Sequence, residues 1–234
     1  AMVEESLDMI HKMWATDPPY EIPGKFWNIS LKKNVDEETG IGYIQKPYQL
    51  PHPPIAMPGM SRGSPTMKLA GARGYQPFAH CLVSGNVLAD LWKNYADGAQ
   101  AAGREPCRHD YKIARSIFLA DTTAEAVRLA RRNSLGQNYE YIGRLFDKGL
   151  GRKLYKRDLA MSDKDCNLDY LFTEQIIAGD VDHVLARLLT MIEETGRFGT
   201  LVMMSYDWDD KPSWLHSLEL FAKELMPRLN KALS

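Results

Sequence analysis

The pattern of apolar and polar positions near the N-terminus predicts an amphipathic helix followed by a hairpin. Apolar residues recur at helical spacing between Val3 and Trp14, with charged residues between them, and Pro18-Pro19 ends the pattern. Residues 20–50 carry turn signals and short alternating apolar runs. We therefore expect a helix over the first stretch and a β-hairpin insertion after it.

Beyond residue 50, short buried strands alternate with amphipathic helices. The predicted strands are centred on Ile55, Phe78, Ile117 and Val202. The predicted helices cover residues 66–73, 87–102, 123–132, 181–194 and 213–229. Residues 134–164 are polar, basic and rich in glycine, and predict an irregular insertion with one or two short helices. Alternation of this kind predicts a parallel sheet with right-handed crossovers, and four strands are half of the eight that a (β/α)8 barrel contains.

The composition excludes several classes of protein but does not indicate a reaction. Hydrophobic residues make up 44% of the 234, charged residues 25%, and the formal net charge is −1. Because there is no basic excess, we expect neither nucleic acid nor an anionic membrane as a partner. No apolar run approaches the ~20 residues needed to span a bilayer. Three cysteines without CxxC spacing favour a reducing, cytoplasmic location.

One loop has the composition of a phosphate site, since a buried strand runs through it directly into a helix. Gly59 and Gly63 let the backbone approach an anion closely. Ser61 and Ser64 add hydroxyl donors, and Arg62 adds positive charge. The alternative is an ordinary strand-to-helix turn in which Ser64 caps the helix. Both interpretations stay open, because the spacing fits neither a Walker A loop nor GxGxxG.

Three further residues become candidates because active sites of TIM barrels lie at the carboxyl ends of the strands. His80 follows the second predicted core strand, where it can donate a hydrogen bond to substrate or act as an acid or base, unless it is a structural histidine. Tyr206 and Trp208 follow the last strand and can form an apolar wall for a substrate, or pack beneath the final helix. No His, Asp or Glu spacing predicts a metal site.

Seven segments, in the same order along the chain, resemble those of the bacterial luciferase-like flavin monooxygenases, the family that includes limonene and alkanal monooxygenases. The segments are SLDMIHKMWATDPPYEIPGKFWNI, YQLPHPPIAMPGMS, SPTMKLAGARG, YKIARSIFLADTTAEA, IIAGDVDHVLARL, FGTLVMMSYDWDD and HSLELFAKELMPRL. Each motif alone is weak, but their collinear order over residues 3–230 is specific to the family.

The resemblance implies a TIM-barrel α/β fold, reduced FMN supplied by a separate flavin reductase, and insertion of one oxygen atom of O2 into a hydrophobic small molecule. Carried over to this sequence, the loop that helps to hold the FMN phosphate comprises Gly59, Met60, Ser61, Gly63 and Ser64, with Arg62 beside them. His80 is then the candidate catalytic residue, and Tyr206 and Trp208 are candidates for the substrate pocket.

The resemblance also implies that strands one to four of the barrel are absent from this sequence. Residues 1–234 are thus expected to form a single barrel domain that is incomplete at its N-terminus. We expect a complementing N-terminal half or a second copy to cover the open sheet. The alternatives are a non-catalytic subunit, fragment or relic of the same fold, and an oxidoreductase that uses deazaflavin.

Overall fold

The computed structural model describes residues 1–149 and 151–234, which divide into two compact units. The first unit comprises residues 1–55 and the second residues 56–234. No helix among these described residues has the length and apolar character needed to cross a membrane.

The first unit contains the predicted helix and hairpin. Helix α1 covers Met2–Ala15, and strands β1 (Tyr20–Pro23) and β2 (Asn28–Leu31) pair in antiparallel fashion. A small core forms where Met9 of the helix meets alternate residues Tyr20 and Ile22 of β1. The helix therefore packs Met9 and Met13 against one face of the hairpin, whereas Val3 and Ile10 of its predicted apolar side are exposed.

The second unit is built on five parallel strands. They are β3 (Ala56–Gly59), β4 (Gln76–Ala79), β5 (Lys112–Leu119), β6 (Ile176–Gly179) and β7 (Thr200–Met203). Strand β3 pairs with β4 and β4 with β5, while β5 pairs with β7 along its first half and with β6 along its second half. The described sheet is thus the parallel one that the sequence predicted.

The predicted count of four core strands is one short, because β6 was missed. Its four residues, Ile-Ile-Ala-Gly, are all buried and stand directly before a helix. An apolar run this short cannot be told from the lead-in to a helix by periodicity alone. Tertiary pairing with the second half of β5 is what makes it a strand.

The helices of the second unit follow the predicted pattern closely, except at residues 168–174, where no helix was predicted. They are α2 (Pro65–Arg73), α3 (Gly85–Ala101), α4 (Thr123–Arg132), α5 (Ser134–Asp147), α6 (Leu168–Glu174), α7 (Val181–Thr195), α8 (Lys211–Leu220) and α9 (Met226–Leu233). Helices α8 and α9 are joined through a π-helical turn at Phe221–Leu225. Side chains of Ser64, Thr122, Asn133 and Asp180 accept hydrogen bonds from the first turns of the helices they precede.

The prediction of an irregular insertion is wrong for its first part. Residues 134–147 form the regular 14-residue helix α5. Gly136, one of the glycines that suggested irregularity, permits close packing instead, since a Cβ on it would lie 2.5 Å from the carbonyl oxygen of Arg131. Residues 151–164, by contrast, contain no helix or strand.

Helices α2 and α3 pack through paired glycines. A Cβ on Gly71 would lie 2.0 Å from the carbonyl oxygen of Tyr95, and one on Gly98 would lie 2.1 Å from that of Lys68. Both distances are far below van der Waals contact with rigid backbone, so the two helices approach as closely as they do only because these side chains are absent. This contact fixes the helix that follows the 59–64 loop.

We predict that Gly98→Ala lowers the free energy of unfolding by about 2 kcal/mol, because overpacking of the backbone outweighs the better helix propensity of alanine. Gly149→Ala is the matched control, since a Cβ there meets nothing within 4 Å, and its effect should stay within about 0.5 kcal/mol. Urea denaturation measures both variants. Equal effects of the two substitutions would contradict the close-packing account.

Candidate functional site

The register of β3 and β4 brings two of the predicted site elements together. Gly59 and Ala79 are partners at the carboxyl ends of these parallel strands, and the backbone N–H of His80 donates to the carbonyl oxygen of Gly59 at 3.3 Å. The 59–64 loop therefore leaves the sheet beside His80. This is the edge at which barrel enzymes place their active sites.

The 59–64 loop reaches its conformation through Gly63. Its φ of +61° is in the left-handed region, and a Cβ there would meet nothing within 4 Å. Ser61, Arg62 and Gly63 are exposed, whereas Ser64 is buried and its Oγ accepts from the N–H of Met67 at 3.3 Å. The capping role considered for Ser64 is thus present in the structure, and it leaves the outer part of the loop open.

Several donors at this loop are available to an anion. The hydroxyl of Ser61 and the backbone N–H of Thr66 make no hydrogen bond within the described chain. The N–H groups of the first turn of α2 also present the positive end of its dipole. Asp90 disfavours an anion on its side of the loop. Its negative charge would repel the anion, and its Oδ2 already accepts from the N–H of Gly63 at 2.7 Å. The donor set therefore fits a phosphate on the Ser61 side of the loop, away from Asp90.

Arg62 is held in place rather than free in solvent. Its Nη2 donates to Oδ1 of Asn86 at 3.1 Å and to the carbonyl oxygen of Arg157 at 2.9 Å. Neither acceptor carries a negative charge, so these two contacts do not neutralise the guanidinium next to the loop. Met60, the remaining member of the predicted set, packs part of its side chain against the core.

His80 is positioned as a neutral hydrogen-bond donor. Its Nδ1 accepts from the backbone N–H of Leu82 at 3.2 Å, which assigns the proton of the neutral ring to Nε2. Burial, and then the positive charge of Arg115, lower the pKa of His80 below its usual value. Near neutral pH the ring is therefore uncharged, with Nε2–H available to a partner.

A buried chain of hydroxyl groups lies beyond His80. The hydroxyl of Tyr206 is 2.5 Å from Oγ of Ser116, which is 3.0 Å from the hydroxyl of Tyr139. Tyr139 donates in turn to the carbonyl oxygen of Cys81 at 3.3 Å. Because a carbonyl can only accept, Tyr139 must accept from Ser116, and Ser116 from Tyr206. Burial raises the pKa of both tyrosines, so every proton of the chain is retained at neutral pH.

Tyr206 and Trp208, the predicted substrate wall, share a neighbour on α8. The ring of Tyr206 stacks on Trp214 with 6.1 Å between centroids. Trp208, which is 44% exposed, lines a cavity of about 60 Å³ together with Trp214 and Met204. That volume is well below the ~300 Å³ of a typical ligand pocket. Tyr206 is therefore partly a packing residue in the described chain, and the pocket assignment stays a prediction.

Sequence reasoning missed Ser116, Tyr139 and Asp90. A serine within the apolar run of β5 was a usable signal, because a buried hydroxyl requires a partner. Tyr139 and Asp90 gave no such signal, since both lie within helices and only the tertiary fold brings them to the site. No cluster of three or more His, Cys, Asp or Glu side chains in the described part of the protein is arranged to hold a metal ion.

The parallel strands, their helices and the site at the carboxyl edge define a (β/α)-barrel architecture, and sequence comparison assigns the family. Residues 1–197 match the profile described as Luciferase-like monooxygenase. The chain belongs to this family.

Named relatives and solved structures agree with the assignment. The chain is 31% identical over 235 residues to 3,6-diketocamphane 1,6-monooxygenase of Pseudomonas putida, covering 97% of the chain and 61% of that protein. It is 24% identical to limonene 1,2-monooxygenase of Rhodococcus erythropolis, covering 97% of the chain and 54% of that protein. The oxygenating constituent of 3,6-diketocamphane monooxygenase, solved in complex with FMN, superposes with a TM-score of 0.79 at 30% identity and covers 97% of this chain and 63% of that one. The chain therefore spans about three fifths of the length of these relatives.

We predict that His80 titrates below its usual pKa of about 6.5 in the folded protein. A histidine whose folded pKa is lowered contributes stability above its unfolded pKa, and this stability is lost as the pH falls through that range. The free energy of unfolding should therefore fall less between pH 7 and pH 5 in His80→Gln than in the wild type. Histidine NMR titration and urea denaturation at both pH values measure this, and a midpoint above 6.5 would count against it.

We also predict that Ser116→Ala is more destabilising than Tyr206→Phe. Ser116→Ala should lower the free energy of unfolding by about 1–3 kcal/mol, and Tyr206→Phe should lower it by about 1 kcal/mol. Ser116 serves both tyrosines, whereas Tyr206 stands at the end of the chain of hydroxyl groups. The double variant should lose less than the sum of the single losses, because the same hydrogen bond is removed twice. Chemical denaturation of all four proteins tests this, and additive losses would show that the hydroxyl groups act independently.

Proposed function

We propose that the protein is an FMN-dependent monooxygenase, an oxidoreductase that uses reduced FMN and O2 to oxygenate a hydrophobic small molecule. The observation that carries the proposal is the open, donor-lined loop at residues 59–64, in a chain 30% identical to a monooxygenase component solved with FMN. Named relatives act on diketocamphane and limonene, which are both largely apolar. A similar substrate class is therefore proposed for this protein.

The cofactor would be held through its phosphate. The Ser61 hydroxyl and the Thr66 N–H are free to donate, and Arg62 contributes charge from a fixed position. Gly63 keeps the approach clear of side-chain atoms. Reduced FMN, when bound, supplies the electrons and the reaction with O2.

The protein's own groups would then orient substrate and exclude water. His80 is proposed to donate its Nε2–H to an oxygen atom of the substrate, since its Nδ1 is already occupied by the N–H of Leu82. Tyr206 and Trp208 are proposed to supply the apolar wall of the pocket. Because the proton of Tyr206 is directed to Ser116, its oxygen can serve a ligand only as an acceptor.

The open edges of the sheet support a partner that completes the barrel. In the described sheet, β3 pairs only with β4 and β7 only with β5, which leaves one edge of each strand without a neighbour. Unpaired strand edges favour association with further strands. We propose that a complementing N-terminal half, or a second copy in a homo-oligomer, covers them, and that a flavin reductase supplies reduced FMN in the cytoplasm.

Flavin titration tests the phosphate assignment. Ser61→Asp should raise the Kd for FMN at least tenfold, because the new carboxylate faces a phosphate that carries close to two negative charges. The Kd for riboflavin, which lacks the phosphate, should not change. Ser162→Asp is the matched control, since Ser162 is also exposed and its described hydrogen bond is with the N–H of Lys164, not with the loop, and it should leave both constants unchanged.

The same titration separates the alternatives. Equal affinity for FMN and riboflavin in the wild type would contradict a phosphate site at the loop. Absence of flavin binding would favour a non-catalytic member or relic of the fold. Preference for a deazaflavin over FMN would assign the protein to the deazaflavin-dependent oxidoreductases.

A further inference from the structure

A small charged cavity lies between α6, α7 and the first residue of α3, and no residue of the 59–64 loop lines it. Its volume is about 150 Å³. The charged side chains that line it are Arg115, Arg157, Arg187, Glu174 and Glu194. Nothing in the proposed flavin chemistry uses these groups, so their concentration around one cavity needs its own explanation.

Arg115 is the most unusual of these residues. It lies on β5 with only 2% of its surface exposed. Its Nε contacts the sulfur of Met191 at 3.2 Å and its Nη1 donates to the carbonyl oxygen of Ala114 at 3.0 Å. A guanidinium has five N–H groups, so three of them have no partner within the described chain. No described carboxylate lies within ion-pair distance of it, and burying such a charge without a partner is strongly unfavourable.

The positive charges around the cavity outnumber the negative ones. Arg157 holds both carboxylates, with Nε 2.8 Å from Glu174 and Nη2 2.8 Å from Glu194. Arg187 donates only to the carbonyl oxygens of Phe172 and Thr173, at 3.3 and 2.6 Å. Three guanidinium groups therefore face two carboxylates, and one positive charge is left over.

The start of α3 adds to the positive potential. Gly85, the first residue of this 17-residue helix, lines the cavity, and no side chain caps the helix. A Cβ on Gly85 would lie 2.7 Å from Oε2 of Glu194, so the helix terminus and this carboxylate are already in close contact. Free N–H groups at a helix start favour a negative ligand.

We propose that this cavity binds one small monovalent oxyanion, of the carboxylate or bicarbonate class, on the free N–H groups of Arg115. Because one positive charge is left over, a ligand with a single negative charge would neutralise the cavity. The planar fork of a guanidinium matches a pair of oxygen atoms, which favours an oxyanion over a halide. The volume excludes anything much larger than a few non-hydrogen atoms.

Equilibrium dialysis against radiolabelled formate tests the proposal directly and without flavin. The wild type should bind one equivalent saturably, and Arg115→Met, which keeps the length of the side chain, should weaken binding at least tenfold. Arg128→Met is the matched control, because Arg128 is exposed on α4 and pairs with Glu125; it should bind formate like the wild type. Unchanged binding in Arg115→Met, or no saturable binding in the wild type, would overturn the proposal.

A second variant keeps the test decisive if Arg115→Met does not fold. Arg187→Met removes the other arginine that lacks a carboxylate partner, and it should also weaken formate binding at least tenfold. Competition then checks the ligand class: bicarbonate should displace labelled formate, and chloride at the same concentration should not. Equal displacement by chloride would contradict the assignment to an oxyanion.

Discussion

The backbone of β5 holds the second unit together. Its eight residues pair with three strands, since β4 and β7 flank its first half and β6 its second half. Seven of the eight residues are buried, and both faces of the strand are covered. Ala114 and Phe118 reach the same core cluster as α4 and α5, whereas Arg115 contacts Met191 on α7. This parallel strand therefore holds β4, β6 and β7 in place, and β4 in turn positions β3 and the 59–64 loop.

The electrostatic character of the site follows from this burial. His80 is kept neutral by desolvation and by the nearby positive charge of Arg115, and the tyrosines retain their protons for lack of water. The hydroxyl groups are then ordered by a single acceptor, the carbonyl oxygen of Cys81. The site thus offers donors and acceptors in fixed directions without a charged acid or base among these groups. Such an arrangement suits a protein whose cofactor performs the oxidation and whose side chains orient the reactants.

Sequence reasoning predicted most of the fold and named part of the candidate site. The helices and four strands were predictable because their apolar spacing repeats locally, as in α1 and α7. Strand β6 was not predictable, since a run of four buried residues shows no alternation of apolar and polar positions. His80 and the 59–64 loop could be named as candidates because strand ends are readable in the sequence. Ser116, Tyr139 and the cavity around Arg115 were not, because residues far apart along the chain meet there only through tertiary packing.

The pairings of β5 also constrain how the protein folds. Ser116 pairs with Ile176 and Lys112 with Thr200, so the strand must wait for partners that lie about 60 and 90 residues further along the chain. Closing loops of that length costs conformational entropy before any contact repays it. Helices α4 and α5 can form earlier from local contacts, and they meet the core face of β5 while its edge is still unpaired. The topology therefore favours completion of β5 late in folding, after the helices that form from local contacts.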